Sequence, residues 1–191
     1  MGNMRSKESG FSLVDMMMVL GIMGALGGMA VIQIARAVPA AKADGAMRVI
    51  ISQLSSAREL AIQQRRYMQV GFIAPNAIRI VRTDVNTNGV TIGTTVLSTV
   101  ELEGGITYNV ISGIPDTPEH FGMTTATDFG TATTIQFSTD GTLIDQTGAP
   151  LNGTIVLASP NVKNSSRAVT VFGSTGRIRG YRWDGNAWVL V

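Results

Sequence analysis

The chain has 191 residues, of which 45% are hydrophobic and only 15% are charged, and its formal net charge is +2. It contains no cysteine, which excludes disulfide bonds and thiolate metal sites. Its one histidine, His120, has no nucleophile motif around it, and nothing else in the sequence argues for catalysis. We therefore predict a protein that is not an enzyme and has no catalytic residues, metal or cofactor.

Much of the apolar excess lies near the amino terminus. Residues 1–10 are polar and carry Arg5 and Lys7, whereas residues 11–38 are almost wholly apolar. About 20 apolar helical residues span the ~30 Å core of a bilayer, so this stretch predicts a transmembrane helix. The basic residues before it predict an orientation with the amino terminus inside. A cleaved secretory signal is the competing interpretation, but its apolar core has only about 7–15 residues.

Residues 39–66 continue the helix with a different pattern. Small and apolar residues recur every three to four positions from Ala43 to Ala61, which is typical of a helix with one buried face. Pro39 separates the two halves, and because it has no amide proton it is expected to kink the helix.

After residue 66 the pattern is typical of strands. Short β-prone runs alternate with turn residues, and Asp140-Gly141 and Asp184-Gly185 are good tight-turn pairs. An antiparallel sheet packed on a long helix is therefore predicted, which makes the fold class α+β. Residues 112–132 are predicted to be a long irregular loop, and the predicted strands cover residues 68–73, 77–83, 95–102, 106–111, 133–138, 154–158, 168–172 and 177–183.

The segment KESGFSLVDMMMVLGIMG resembles the class III signal of type IV pilins and pseudopilins. In those families a short basic leader ends in glycine and is followed by Phe-Thr/Ser-Leu-Ile/Val-Glu and an apolar helix. The resemblance implies cleavage after Gly10 by a prepilin peptidase and N-methylation of the new amino terminus, Phe11. It also implies a type IV pilin-like fold with a leader over 1–10, a transmembrane and assembly helix over 11–38, an exported amphipathic half over 39–66 and a β domain over 67–191.

Asp15 lies inside the apolar stretch, where a charged carboxylate would cost roughly 2.5–3.5 kcal/mol in a bilayer. It is the fifth residue of the implied mature chain, where the family normally has glutamate. The resemblance implies that Asp15 pairs with the α-amine of Phe11 on a neighbouring subunit and sets the register between helices. Aspartate is one methylene shorter, and the alternative is that Asp15 lies at the level of the lipid headgroups.

Three later segments, SQLSSARELAIQQRRYMQVGF, IQFSTDGTL and AVTVFGSTGRIRG, resemble the GspH/FimT group of minor pilins and pseudopilins. The function implied first is that of a minor type IV pilin, a filament subunit that starts as a single-pass inner-membrane protein and ends in a filament in the periplasm or at the cell surface. The implied partners are the prepilin peptidase/methyltransferase, other pilin or pseudopilin subunits and the inner membrane. Two alternatives stay open: a minor pseudopilin of type II secretion, and a membrane-anchored periplasmic binding module.

Basic residues cluster near the carboxyl terminus, where residues 163–182 contain 5 of the 15 lysines and arginines and no acid. On a strand, Arg177 and Arg179 point to the same face, and two adjacent guanidinium groups suit phosphate binding. The Gly-Arg-x-Arg motif at 176–179 is similar to one that DNA-binding minor pilins of this group use, which implies double-stranded DNA as a partner. The alternative is a solvated strand face or a contact with neighbouring subunits. The predicted DNA-binding residues are Arg177, Arg179, Lys163, Arg167 and Arg182.

Overall fold

The computed structural model describes residues 12–85 and 90–191, except for the side chains of residues 30–33, 35, 36 and 85. The chain divides into two compact units, with the boundary between Val38 and Pro39. One long helix and antiparallel strands confirm the α+β class that the sequence predicts.

Helix α1, Leu13–Gln64, begins in the first unit, where its described large apolar side chains are exposed. A helix needs about 20 consecutive apolar residues to cross a bilayer. No helix within residues 12–85 and 90–191 has the length and apolar character to cross a membrane. The predicted transmembrane helix over 11–38, and with it the single-pass inner-membrane location, is therefore wrong.

In the second unit, α1 is buried through the face that its sequence periodicity predicts. The helix contains Pro39 and ends at Gln64, and the positive φ of 51° at Arg65 then stops it. Full burial of a Leu, Ile or Met side chain contributes about 1.5–3 kcal/mol, so this face holds the helix in the unit. The buried positions are Ala43, Ala46, Met47, Ile50, Leu54, Ala57 and Ala61.

The described part of the second unit contains eleven strands in two sheets, and every strand pair is antiparallel. The first sheet has the order β3-β2-β1-β6-β7, and the second has the order β11-β10-β9-β8-β4, with β5 also paired to β8. The strands are β1 Tyr67–Ile73, β2 Ala77–Val85, β3 Thr91–Glu101, β4 Thr107–Tyr108, β5 Thr127–Asp128, β6 Ile135–Phe137, β7 Leu143–Ile144, β8 Gly153–Ala158, β9 Arg167–Phe172, β10 Arg177–Trp183 and β11 Trp188–Leu190, and a 3₁₀ turn covers Lys163–Ser165.

One hydrophobic cluster joins α1 to the inner faces of both sheets. In the second sheet it includes Ile155 from β8 together with Val169 and Val171 from β9. Because side chains alternate along a strand, the residues between them point to the opposite side, which we call the outer face. The outer face holds Thr154, Thr170, Phe172, Arg177, Arg179 and Tyr181.

A segment of residues 112–126, which we call the covering loop, lies against this outer face. The rings of Phe121 and Phe172 approach to 6.0 Å between centroids, and Trp188 donates its indole N–H to the carbonyl of Pro115 at 2.8 Å. The sequence predicts an irregular loop here, and within 112–132 the structure adds only the short strand β5.

Candidate functional site

The predicted processing residues Gly10 and Phe11 lie outside the described residues, whereas Asp15 lies in the first turn of α1. Its Oδ2 accepts a hydrogen bond from the Ser12 amide at 3.4 Å. The Ser12 hydroxyl in turn accepts the Val14 amide at 3.3 Å. Ser12 therefore caps the start of the helix with its hydroxyl, the Asp15 carboxylate satisfies the Ser12 amide as in a capping box, and a carboxylate at this end also lies favourably near the positive end of the helix dipole.

Asp15 thus has a partner within its own chain, which the resemblance to prepilin signals does not imply. The signal was present, since Ser-x-x-acid before an apolar run is the pattern of a helix start. In the described single chain, Asp15 is exposed and lies beside the exposed apolar side chains of the first unit.

The arginine pair at the other end of the chain is positioned by strand β10. A Cβ on Gly180 would lie 2.9 Å from Cδ1 of Ile51 and 3.1 Å from Sδ of Met47, so even a methyl group would require these two side chains of α1 to shift. Gly180 therefore faces the helix, and the alternation of the strand turns Arg177 and Arg179 to the outer face.

The turn before Arg177 is attached to the helix as well. Arg58 on α1 donates from Nε to the carbonyl of Gly141 and from Nη2 to the carbonyl of Thr175, each at 3.1 Å. Gly176 has a φ of 62°, and a Cβ there would lie 2.1 Å from the Gly141 carbonyl oxygen. Arg177 therefore follows directly after a turn that the Arg58 side chain of α1 holds in place.

Both arginines contact one acid, Glu119, which is carried by the covering loop. Nη2 of Arg177 lies 3.2 Å and Nη1 of Arg179 3.1 Å from the same oxygen, Oε1. The Arg177 guanidinium also lies 5.4 Å from the centre of the Phe172 ring, a cation–π distance. A hydrogen bond to the Tyr181 side chain, with a smaller contribution from Glu119, raises the pKa of Arg179 above its ordinary value.

The acid is the more enclosed partner in this cluster. The side chain of Glu119 is 10% exposed, whereas those of Arg177 and Arg179 are 47% and 40% exposed. Each guanidinium therefore keeps donor surface toward solvent while its carboxylate partner lies beneath it. Tyr181 is buried, so its ring does not offer a face on which a nucleobase could stack.

The other three predicted DNA-binding residues do not join this pair. Arg167 is 1% exposed and donates to Asp44 and to the carbonyl of Ala40, both on α1. Arg182 is exposed, but it is in phase with Gly180 and so lies on the opposite side of β10. Lys163 is exposed in the 3₁₀ turn.

The residue that sequence reasoning missed is Glu119. It lies in a stretch without periodicity, so no pattern could bring it to the arginines. The positions of Arg167 and Arg182, by contrast, could have been read from the alternation of β9 and β10, since Arg167 is in phase with the core residues Val169 and Val171.

Comparison with known proteins finds no matching family model, no matching curated protein and no matching solved structure. The structure itself defines an α+β protein with an exposed apolar helix segment, a capped helix start and two arginines that share one carboxylate, Glu119.

Proposed function

We propose that the protein is a minor type IV pilin, a filament subunit whose amino-terminal helix packs against the helices of other subunits. The observation that carries the proposal is the exposure of large apolar side chains in the first unit. They are between 63% and 76% exposed at Leu13, Met17, Met18, Leu20, Met23, Leu26 and Met29.

These side chains occur on all sides of the helix, because successive residues are rotated by about 100° around its axis. A helix that is apolar all round is stable only when it is buried in something else. The occupant we propose is the same helix of neighbouring subunits, which presents a matching apolar surface. Burial at about 25 cal/mol per Å² of apolar surface would then drive the association.

The resemblance of KESGFSLVDMMMVLGIMG to a prepilin signal supports processing at the Gly10–Phe11 bond. Cleavage would create an α-amine one residue before Ser12, the residue that already contacts Asp15. In the proposed filament, the Asp15 carboxylate forms an ion pair with the α-amine of Phe11 on a neighbouring subunit. The Ser12 amide remains in the processed chain and can keep Asp15 oriented before the neighbour arrives.

The outer-face arginines supply the DNA-binding part of the proposal. Arg177 and Arg179 point to one face, and both keep exposed donors that suit phosphate oxygens. The proposed interface is built on this pair and excludes Arg167, which is buried in contact with α1, and Arg182, which lies on the opposite side of β10.

The filament proposal is tested by replacing Asp15 and measuring how much protein enters sheared filaments. We expect Asp15→Ala to abolish incorporation, while Asp15→Glu, which keeps the charge, retains it. Mass spectrometry of the mature amino terminus checks that both variants are cleaved and methylated at Phe11. Normal incorporation of cleaved Asp15→Ala protein would refute the assembly role of the acid.

A further inference from the structure

We infer that Glu119 occupies the position that a phosphate of a nucleic acid takes between Arg177 and Arg179. The covering loop is then a built-in competitor of the anionic ligand. This inference rests on the proposed DNA-binding role of the same pair.

The first argument is the geometry of the shared oxygen. Two guanidinium groups from one strand reach a single carboxylate oxygen, Oε1 of Glu119, at 3.2 and 3.1 Å. Bridging of one anionic oxygen by two arginines is also how a phosphate oxygen is held, because the guanidinium fork suits both groups. A phosphate cannot take this position while the carboxylate is there.

The second argument is electrostatic. The two arginines carry two positive charges, and the carboxylate cancels one of them within hydrogen-bond distance. An approaching phosphate therefore meets about half of the attraction that the bare pair would exert. Displacement of Glu119 would restore the full charge of the pair to the outer face.

The third argument concerns the surface against which the covering loop lies. Within the described residues, the hydroxyls of Thr154 and Thr170 are buried without a hydrogen-bond partner. The two threonines are cross-strand partners in the β8–β9 ladder, and Thr170 also pairs with Arg179 in the β9–β10 ladder. A buried hydroxyl without a partner is unfavourable, and entry of water would satisfy it. A release of the loop that admitted water to these two hydroxyls would therefore be favoured.

The fourth argument is how the loop is attached around Glu119. On one side Trp188 holds the Pro115 carbonyl, and on the other side Phe121 packs on Phe172. The Asp116 carboxylate accepts hydrogen bonds from the amides of Thr117 and Gly122 at 2.6 and 3.2 Å, so the segment has internal bonds that do not involve the arginines. These bonds would keep the local shape of the segment when the contacts of Glu119 with the arginines break.

The test compares two variants of the full chain that each lose one negative charge. Glu119→Gln removes the competitor, and Glu103→Gln removes an exposed carboxylate on the turn after β3. Affinity for a fluorescent double-stranded DNA is measured by anisotropy over a range of salt concentrations. We expect Glu119→Gln to tighten binding about three- to tenfold and Glu103→Gln to change it less than about twofold. The slope of log affinity against log salt should stay nearly the same in Glu119→Gln, since the same phosphate contact forms in the natural chain once Glu119 is displaced.

A third variant, Glu119→Gln with Arg177→Ala and Arg179→Ala, should lose the gain. The inference is wrong if Glu119→Gln changes DNA affinity no more than Glu103→Gln does, or if it lowers DNA affinity. It is also wrong if the triple variant without the two arginines keeps the gain in affinity. Weakening would mean that the acid orients the arginines for the ligand instead of competing with it.

Because Glu119 is largely enclosed, a fourth variant tests the same inference without changing Glu119. Trp188→Phe removes the hydrogen bond to Pro115 and should loosen the loop, which would also raise DNA affinity, by about twofold or more. Circular dichroism confirms that each variant is folded, and an unchanged affinity in folded Trp188→Phe and Glu119→Gln would overturn the inference.

Titration with inorganic pyrophosphate separates this inference from the proposed function. A gain of pyrophosphate affinity in Glu119→Gln without any DNA binding would support the competing acid and refute the DNA role. DNA binding that depends on Arg177 and Arg179 but is unchanged in Glu119→Gln would support the DNA role and refute the competing acid. Absence of binding to either probe in all variants would refute both.

Discussion

The guanidinium of Arg167 on β9 donates from Nε to a carboxylate oxygen of Asp44 on α1 at 2.5 Å. The same guanidinium donates to the carbonyls of Ala40 on the helix and of Asn164 and Ser166 near the start of β9. The arginine is 1% exposed and the aspartate 33% exposed, so a cation inside the second unit has its counter-charge at the edge. This pair fixes β9 to the helix shortly after the boundary between the units.

We expect Asp44→Ala to lower the free energy of unfolding by about 1.5–3 kcal/mol, because it leaves a buried guanidinium without its acid. Combining it with Arg167→Met should recover part of the loss, since the unpaired charge is then gone. Urea unfolding of the full chain measures both, and Glu103→Ala, at an exposed site, should change stability by no more than about 0.5 kcal/mol. A double variant less stable than Asp44→Ala alone would contradict this account.

Gly180 tests how closely β10 must approach the helix. A methyl group there would meet the ends of Ile51 and Met47, so Gly180→Ala should cost about 1–3 kcal/mol by overpacking. The matched control is Gly71→Ala on β1, where a Cβ has no neighbour within 4 Å. Urea midpoints measured side by side should separate the two variants. Equal midpoints would mean that the side chains of α1 move aside at little cost.

Asp128 should make stability dependent on pH in the acid range. The Thr124 hydroxyl, at 2.6 Å, is the main cause that lowers the pKa of Asp128, and the amides of Thr124 and Gly130 add to it. The pKa is then lower in the folded than in the unfolded state, so its contribution is present above the unfolded pKa of about 3.9 and is lost as pH falls through the folded pKa.

We therefore expect Asp128→Asn to destabilise the chain by about 1–3 kcal/mol at neutral pH, and we expect this deficit to shrink as the pH falls below the unfolded pKa and through the lower folded pKa. Urea midpoints of the variant and the natural chain, measured from pH 7 downward, test the convergence. A deficit that stays constant down to the lowest pH at which the chain folds would show that the charge of Asp128 is not the cause.

Truncation of exposed apolar side chains of α1 in the first unit should affect filament assembly, whereas truncation of its buried side chains in the second unit should affect stability. Leu54 is fully buried in the second unit, and Leu54→Ala should cost about 2–5 kcal/mol of stability. Leu20 is 66% exposed in the first unit, and Leu20→Ala should leave urea unfolding nearly unchanged while it reduces incorporation into sheared filaments. Normal incorporation of Leu20→Ala together with several similar exposed-site variants would count against helix packing as the basis of assembly.

The helix part of the core was accessible to sequence reasoning because it follows a simple period: the spacing of Ile50, Leu54 and Ala57 predicts the buried helix face. The inner face of the second sheet was not accessible in this way, because all six residues of β8 are buried and no alternation marks one face. Strands such as β5 and β7 have only two residues each, too few for any period to be visible.

The candidate site was accessible only in part. Because side chains alternate along a strand, the sequence predicts that Arg177 and Arg179 lie on the same face of β10, and in the structure they do. Their contact with Glu119 joins positions about 60 residues apart through a loop without regular pattern, and no local rule specifies such a contact. The membrane prediction relied on the apolar composition of residues 11–38, and it is wrong because no helix in the described part of the chain is long and apolar enough to cross a membrane.

Arg58 has a mechanical consequence. Its guanidinium holds the Gly141 carbonyl in the β6–β7 turn of the first sheet and the Thr175 carbonyl in the β9–β10 turn of the second sheet. These two turns are also in contact with each other, since Gly176 has no room for a Cβ beside Gly141. Tension applied to α1 at this residue would therefore load both sheets at once, so neither sheet could be peeled from the helix without the other.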